Sequence, residues 1–272
     1  MIVSLVQPEV KDDLPENLEQ ISSMIEQAAK EGADLVVLPE LWNTPFINAK
    51  ILEHADDSPI IIDVLKQLSA RLHLWIIAGT IPLKREDHLY NTCLVFNDKG
   101  ELTAQADKLH LLEVHTSKND YYEADVFTPG NRLVKVDTPW GAIGLVICFD
   151  MRFCEIARLL SKDCFCLAAV CGFNENAGRK HWQPLMQTRA MENEVFVLAL
   201  NPACADYGSY RSYGHSMAVS PDGQVLASLD SNAGILTLEI NPDDVARIRK
   251  RSPFWNVRRT DLFILEENHL EK

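Results

Sequence analysis

Short apolar runs alternate with helical patterns in the first part of the chain. Residues 2–6 and 35–38 are apolar runs with the length and composition of buried strands. Between them apolar residues recur every three or four positions, which predicts an amphipathic helix closed by Gly32. The apolar face of this helix contains Leu18, Ile21, Ile25 and Ala28. The order strand, helix, strand predicts a βαβ-like opening.

The alternation continues to residue 81 and then changes. A second helical pattern covers residues 61–72, and a third strand pattern covers residues 75–81. Two apolar runs then flank Asn97-Asp98-Lys99-Gly100, which is typical of a β-hairpin, and the second run ends at Lys108. Residues 107–130 show no clear periodicity, so we predict a long loop there. Loops of that length in compact proteins are usually functional.

The second half of the chain also mixes strands and helices. The pattern predicts strands at 134–138, 141–147, 166–170 and 195–200, and helices at 155–160 and 182–194. Apolar runs at 216–220, 225–229 and 236–240 predict a meander, followed by a short helix that starts after Asn241. We therefore expect an α/β fold in which residues 1–272 form a single domain.

Composition and charge narrow the class of partner. Hydrophobic residues make up 47% of the chain, and 26 basic against 39 acidic side chains give a net charge of −13. This charge disfavours nucleic acid and anionic membranes, so we expect a small-molecule substrate. The chain has neither a signal-peptide pattern at its start nor a segment of membrane-spanning length, so we expect a cytoplasmic protein.

The C-terminal tail carries the one basic cluster of the chain. Six basic residues lie between Arg247 and Arg259, around the apolar sequence Pro253-Phe254-Trp255. The overall negative charge of the chain disfavours a nucleic-acid patch at this cluster. We expect instead that residues 247–272 form a docked tail or contact a second subunit.

The seven cysteines indicate a reducing compartment with free thiols, because their number is odd and the chain is too long to need disulfides. Four of them lie close in sequence: Cys154, Cys164, Cys166 and Cys171. A zinc site is disfavoured because the cluster has no Cys-x-x-Cys pair and lies partly in a strand pattern. We expect these four cysteines to fill the core. The remaining alternative is a redox sensor that forms a reversible disulfide.

Cys148 follows a buried strand pattern and precedes a helix pattern, in the sequence GAIGLVICFDMRFCEIAR. Unpaired backbone N–H groups and the positive end of a helix favour a thiolate. A free thiol has a pKa of about 8.5, so we expect a lowered pKa that makes Cys148 a nucleophile. The alternative is a small buried residue without chemistry.

Three other positions stand where functional groups are often found. Glu40 follows the second strand, at the carboxyl edge where α/β sheets present reactive side chains. Lys108 ends the hairpin, and Glu123 lies within the predicted loop in the sequence YYEAD. Each of them alone also fits an ordinary surface charge. His110 and His115 lack the spacing of a helical zinc pair.

Taken together, these motifs carry a family resemblance. Glu40 in VVLPELW, Lys108 in ADKLHL and Cys148 in GLVICFDMRF occur in an order that resembles the nitrilase superfamily, the carbon-nitrogen hydrolases. The segments GRKHWQPLMQTRAMENEVFVLALNPA and GHSMAVSPDGQVLA extend the similarity over nearly the whole chain. The sequences RKHWQ, GHS and RRTDLF resemble the omega-amidase branch in particular.

The resemblance implies a fold and an activity. The fold would be a four-layer α-β-β-α sandwich, and subunits would pair through the helices near the nucleophile and the C-terminal segment, giving a homodimer. The substrates would be the linear amides 2-oxoglutaramate and 2-oxosuccinamate, hydrolysed to the keto acid and ammonia without a metal or cofactor. The alternatives are an N-carbamoyl amino acid or another aliphatic amide, or a catalytically silent member that binds a metabolite.

The resemblance also implies roles for named residues. Cys148 would be the nucleophile and Glu40 the proton shuttle, while Lys108 and the backbone N–H of Phe149 would hold the oxyanion. Glu123 would position the lysine and the substrate. A bidentate arginine is the natural partner of the substrate's own carboxylate, so we expect Arg152 to bind it, unless Arg152 forms a salt bridge to Asp150, Glu155 or another acid. We also expect Phe173 to contact the substrate.

Two features qualify this interpretation. His181 and His215 could form a Cys-His dyad with the thiol, but Glu40 and Lys108 already supply the base and the electrophile. Cys154 stands where the superfamily often has proline, and Val170-Cys171-Gly172 replaces a stretch of Pro-Gly-Ala type. Because these departures border the expected pocket, they affect substrate identity more than chemistry.

Overall fold

A computed structural model describes residues 1–115 and 120–268 of the chain. Six α-helices are found within these residues. Their bounds are α1 Leu14–Lys30, α2 Asn48–Glu53, α3 Ser58–Leu72, α4 Cys154–Leu160, α5 Glu175–Asn193 and α6 Asp243–Arg251. The predicted helices at 61–72 and 155–160 are confirmed by α3 and α4. Helix α1 begins where Asp13 accepts a hydrogen bond from the Glu16 N–H, which satisfies one of the free donors at a helix start.

The first sheet has six strands in the spatial order β14, β1, β2, β3, β4, β5. The strands are β1 Ile2–Gln7, β2 Leu35–Val37, β3 Trp75–Arg85, β4 His88–Phe96, β5 Leu102–Asp107 and β14 Gly234–Glu239. Strands β1, β2 and β3 are parallel and carry the βαβ-like opening, whereas β4 and β5 form the predicted hairpin.

The second sheet also has six strands, in the order β13, β12, β11, β10, β9, β8. They are β8 Lys135–Thr138, β9 Gly141–Ile147, β10 Cys164–Val170, β11 Phe196–Leu200, β12 Met217–Val219 and β13 Val225–Ser228. The three central strands, β9, β10 and β11, are parallel, and their carboxyl ends therefore meet at one edge of the sheet.

The two sheets face each other, and helices cover their outer faces. Alternate residues of β1 separate the two interfaces, since Val3 and Leu5 pack in the core shared with β9–β12 while Val6 packs with α1 and α3. Helices α4 and α5 pack on the other side of the second sheet. The four-layer α-β-β-α sandwich that the resemblance implied is therefore the observed architecture.

Three local features differ from the sequence analysis. The predicted loop at 107–130 contains short strands, β6 Glu113–His115 and β7 Asp120–Tyr122, and a 3-10 turn at Glu123–Asp125. Helix α5 begins seven residues before the predicted start, because Asn174 caps it by accepting from the Ala177 N–H. Helix α2 was not predicted.

The predicted meander is wrong in its last strand. Strands β12 and β13 do pair, but β14 crosses to the other sheet and pairs antiparallel with β1. All residues of β14 except Glu239 are partly buried, and its apolar sequence predicts a strand without identifying the strand that pairs with it. None of the helices in the described ranges is both long and apolar enough to cross a bilayer.

Candidate active site

The candidate site lies where the carboxyl ends of the parallel strands of the two sheets meet. Glu40 follows β2 of the first sheet, and Cys148 follows β9 of the second. The backbone N–H of Glu40 donates to the Cys171 carbonyl at 3.2 Å, and Cys171 follows the neighbouring strand β10. Two segments far apart in sequence thus join the sheets at this point.

Lys108 forms the centre of a buried charge cluster. Its Nζ donates to Glu40 Oε1 at 2.8 Å and to Glu123 Oε2 at 2.7 Å and Oε1 at 3.0 Å. All three side chains are fully buried. Buried charges persist when they are paired and hydrogen-bonded, so the surface-charge alternatives for these three residues are wrong.

Asn91 belongs to the same cluster, although the sequence analysis missed it. Its Nδ2 donates to Glu40 Oε1 at 2.9 Å and to Glu123 Oε1 at 3.0 Å, and the residue is fully buried. The signal was present in the hairpin, since the Lys108 N–H donates to the Asn91 carbonyl across the β4–β5 pair. A buried amide opposite a candidate lysine is a reason to include it in the site.

Asp150 holds the backbone that follows Lys108. Its carboxylate accepts from the N–H groups of Leu109 at 3.1 Å and His110 at 2.8 Å, and from the His110 ring at 2.8 Å. Since Asp150 is two residues after Cys148, these bonds tie the lysine segment to the nucleophile segment. Burial raises the pKa of Asp150, against the lowering effect of these hydrogen bonds.

Glu123 is fixed by the 3-10 turn that it begins. Its N–H donates to the Leu112 carbonyl at 2.9 Å, and its Oε2 accepts from the Leu112 N–H at 2.7 Å. The carboxylate therefore has partners on several sides and stays buried next to Lys108. A loop acid without structural partners, the alternative from sequence, does not describe this residue.

Cys148 has a left-handed backbone conformation, with a φ of 43°. Such a conformation is unfavourable for a residue with a side chain and persists only where the surrounding fold imposes it. A 3-10 turn at Cys148–Arg152 separates the thiol from α4, so Cys148 does not lie at the start of that α-helix. The side chain is buried, 7% of the residue being exposed.

The expected lowering of the Cys148 pKa is wrong for the resting site. Its pKa is raised well above the ordinary value by a hydrogen bond with Cys171, by burial and by the charge of Glu40, and Lys108 only partly opposes this. The sequence analysis named Glu40 and Cys171 but not their effect on the pKa of Cys148, because both reach the thiol from other strands. The resting nucleophile is a protonated thiol that needs a base.

The two charged partners also have shifted pKa values. Burial raises the pKa of Glu40, and the charge of Lys108 counteracts part of that rise. Burial alone would lower the pKa of Lys108, but the charges of Glu123 and Glu40 raise it well above its usual range. Lys108 is therefore a permanent cation, and Glu40 is a carboxyl group suited to exchanging a proton.

Arg152 lies at the rim of the site and is partly exposed. Its guanidinium is 5.2 Å from the centre of the Phe173 ring and 5.9 Å from that of Phe149, and its Nη1 is 3.2 Å from His181 Nδ1. Within the described residues it forms no ion pair, so the predicted alternative of a salt bridge to Asp150 or Glu155 is wrong.

Phe173 is buried and fixed from two sides. Its N–H donates to Asn201 Oδ1 at 2.9 Å, and its ring packs edge-on against Trp182 at 5.1 Å. Its other neighbour is the Arg152 guanidinium, which places Phe173 beside the rim. Its expected role as a substrate contact stays a prediction.

His181, His215, Cys154, Cys164 and Cys166 lie outside the site, whereas Cys171 contacts both Cys148 and the Glu40 backbone. His181 contacts Arg152, and the carbonyl of His215 accepts from Trp182 Nε1 at 2.7 Å. Cys164, Cys166 and Cys171 are buried as expected, whereas Cys154 is exposed at the start of α4, so its expected place in the core is wrong.

Comparisons with known proteins give a consistent result. The family model described as carbon-nitrogen hydrolase matches residues 2–250. Omega-amidase NIT2 of Xenopus tropicalis is 35% identical over 268 residues, and that of Homo sapiens is 34% identical over 267 residues; each alignment covers 97% of both chains. The crystal structure of Nit3 of Saccharomyces cerevisiae, a member of branch 10 of the nitrilase superfamily, has a TM-score of 0.87 and 32% identity, over 95% of this chain and 96% of its own.

Proposed function

The chain belongs to the carbon-nitrogen hydrolase family and is an amidase, and from this membership we propose that it hydrolyses the terminal amide of 2-oxoglutaramate or 2-oxosuccinamate through a Cys148 thioester. The observation that carries the proposal is the buried contact of Lys108 with Glu40 and Glu123 beside the Cys148 segment. These groups supply a nucleophile, a proton shuttle and a positive charge, which amide hydrolysis requires.

Acylation begins with the protonated thiol. Glu40 takes the Cys148 proton while sulfur attacks the amide carbon, because a thiol with a raised pKa is not deprotonated in advance. Oε1 of Glu40 already accepts from Lys108 and Asn91, so Oε2 is the oxygen that exchanges the proton. Glu40 then passes the proton to the departing nitrogen, and ammonia leaves.

The oxyanion of the tetrahedral intermediate needs fixed donors. Lys108 has three N–H groups; Glu40 takes one and Glu123 holds another between its two oxygens, which leaves the third for the substrate. The backbone N–H of Phe149 is the second donor. Deacylation uses the same groups: Glu40 accepts a proton from water as the water attacks the thioester, and returns it to the sulfur.

The substrate class rests on the rim of the site and on the relatives. Both relatives are named omega-amidases. The guanidinium of Arg152 lies next to Phe149 and Phe173 without a carboxylate partner in the described ranges, and a bidentate guanidinium is well suited to the carboxylate of a keto acid amide.

An ammonia-release assay tests the substrate. We expect the fastest turnover with 2-oxoglutaramate and 2-oxosuccinamate, in a panel that also contains glutamine, an N-carbamoyl amino acid and an aliphatic nitrile. Preference for the N-carbamoyl compound would favour the alternative hydrolase on the same residues, and a preference for the nitrile would contradict the proposal.

Iodoacetamide labelling separates an enzyme from a silent binding protein. We expect alkylation at Cys148 that depends on Glu40 as the base, because the resting thiol is protonated, and that an amide substrate slows. Because Cys154 is exposed and labels independently, the Cys154→Ala variant is the proper background for this measurement. Slow labelling of Cys148 together with no turnover of any amide would favour the binding protein.

We further propose a homodimer in the cytoplasm. The tail exposes large apolar side chains, which a soluble monomer rarely leaves in one segment: Phe254, Val257, Leu262, Phe263, Ile264 and Leu265. All seven cysteines are free thiols, which suits a reducing compartment. Light scattering after size exclusion should give twice the monomer mass, and truncation after Arg251 should reduce it to that of a monomer.

A further inference from the structure

The two oxygens of Glu40 have very different surroundings. Oε1 accepts from Lys108 Nζ at 2.8 Å and from Asn91 Nδ2 at 2.9 Å. Oε2 is buried and, apart from the Cys148 thiol whose proton it takes during acylation, has no hydrogen-bond partner among residues 1–115 and 120–268. A buried carboxylate oxygen with no other donor is costly, so this oxygen calls for a small polar molecule that belongs to the working site.

A small cavity lies next to this oxygen. Its volume is about 10 Å³, counted as the space open to the centre of a water molecule, and Glu40, Thr44, Gly172 and Tyr210 are among the residues that line it. That volume corresponds to about one water molecule. The space beside Oε2 depends on Gly172, because a Cβ at that position would lie 3.2 Å from Oε2.

Two further hydroxyl groups on the cavity wall are open to a ligand. Thr44 Oγ1 is fully buried and has no partner in the described part of the chain. Tyr210 Oη accepts from the Phe46 N–H at 2.8 Å, which leaves its own proton available as a donor. The wall thus offers Glu40 Oε2 as an acceptor, Tyr210 Oη as a donor, and Thr44 Oγ1 as either a donor or an acceptor.

We propose that this cavity binds a single water molecule between Glu40 Oε2, Thr44 Oγ1 and Tyr210 Oη, and that this water hydrolyses the thioester. Three hydrogen bonds are the usual number for a buried water. This inference rests on the proposed function, since it needs an acylated Cys148. Thr44 is then a positioning residue that acts on the water and not on the amide.

The step balances without any further reactant. The water oxygen bonds to the thioester carbon while one water proton moves to Glu40 Oε2. The carbon–sulfur bond then breaks, the sulfur takes the proton back from Glu40, and the free acid leaves. Because the water is needed only after ammonia has departed, loss of its binding site should slow deacylation and leave acylation intact.

Rapid-quench kinetics on Thr44→Val separates the two steps. With the best amide of the panel, acylation is followed by the first-turnover release of ammonia, and deacylation by the decay of the acylated protein in intact-mass spectra after acid quenching. We expect acylation within about twofold of the wild type and deacylation about tenfold slower, the effect of one lost hydrogen bond. Acylated protein therefore accumulates.

Three variants complete the experiment. Thr44→Ser keeps the hydroxyl and should restore wild-type deacylation, whereas Ser69→Ala, which removes a buried hydroxyl bonded to the Lys66 carbonyl in α3, should change neither step. If Thr44→Val does not fold, Tyr210→Phe removes the third contact and should show the same selective slowing.

The outcomes distinguish this inference from the proposed function. Equal deacylation rates in Thr44→Val and the wild type, or equal slowing of both steps, would overturn the water site while leaving the thioester mechanism in place. Ammonia release at the wild-type rate by Cys148→Ala would instead overturn the proposed function itself.

Discussion

The two halves of the candidate site are held in place by different means. The charged half, formed by Glu40, Asn91, Lys108 and Glu123, is a network of hydrogen bonds between fully buried groups. The thiol half depends on Cys148, whose position is set by a left-handed backbone between β9 and the 3-10 turn. The first half is fixed by side chains and the second by the main chain.

This difference has consequences for stability. Removing a charge from the network leaves other buried charges unpaired. A variant in the charged half should therefore lose both turnover and free energy of unfolding. The thiol contributes no ion pair, and its removal leaves the main chain as it was. Variants in the two halves should therefore lose activity alike and differ in stability.

Lys108→Ala should produce the largest combined effect. Loss of the oxyanion donor should reduce turnover by roughly 100- to 1,000-fold. Two buried carboxylates left without their cation should lower the free energy of unfolding by about 3–5 kcal/mol. Ammonia release and urea unfolding measure the two effects.

Cys148→Ala is the matched variant in the thiol half. We expect turnover at background and a free energy of unfolding within about 1 kcal/mol of the wild type, because only a small buried group is lost. Preserved turnover in Lys108→Ala, or equal stability losses in both variants, would contradict the division into two halves.

Asn91→Ala should have an intermediate effect that depends on pH. Glu40 must be ionised to take the thiol proton, so kcat/KM falls as the pH drops through the pKa of Glu40, which burial raises above its ordinary 4.5. The Asn91 N–H stabilises the ionised form; without it that pKa rises further, and the acidic limb moves to higher pH. At neutral pH we expect kcat/KM to fall about tenfold or more.

The pH profile of kcat/KM is the measurement, and Asn97→Ala is the control. Asn97 donates to Glu101 in the β4–β5 hairpin, away from the site. An unchanged acidic limb in Asn91→Ala would show that the amide has only a structural role.

Arg152→Lys should affect binding more than chemistry. A lysine keeps the charge but loses the planar fork, so KM for 2-oxoglutaramate should rise about tenfold. The neutral amide propionamide is the control substrate, and its KM should change little. Equal changes in KM for both substrates would show that Arg152 does not bind the substrate carboxylate.

Replacement of the histidines should have the smallest effect. We expect His181→Gln and His215→Asn to retain activity within about tenfold, since loss of a general base typically costs at least about 100-fold. Asparagine suits position 215 because it tolerates the left-handed backbone found there, with a φ of 61°. A fall to background in either folded variant would restore the Cys-His dyad.

The comparison also explains what the sequence could predict. Glu40, Lys108 and Cys148 each lie just after a strand, which local patterns predicted, but these strands belong to two different sheets. Only the family resemblance brought the three positions into one site. The four-layer fold came from the resemblance, because periodicity alone gave only the mixture of strands and helices.

Properties set by contacts between distant segments were not predictable. The pKa of Cys148 depends on Glu40 and Cys171, which reach it from other strands. The role of Asn91 depends on the register of the β4–β5 pair, and β14 joins the first sheet although its sequence follows the second. In each case the residue pattern determined the element but not its partner.

The hydrogen bond from the Glu40 N–H to the Cys171 carbonyl has a further consequence for refolding. Competence for catalysis requires both sheets to have formed and met, and contacts between distant segments form slowly. In a refolding time course, the recovery of ammonia release should therefore lag behind the recovery of the circular dichroism signal of secondary structure. The turnover of the enzyme then reports the rate of the last step of its folding.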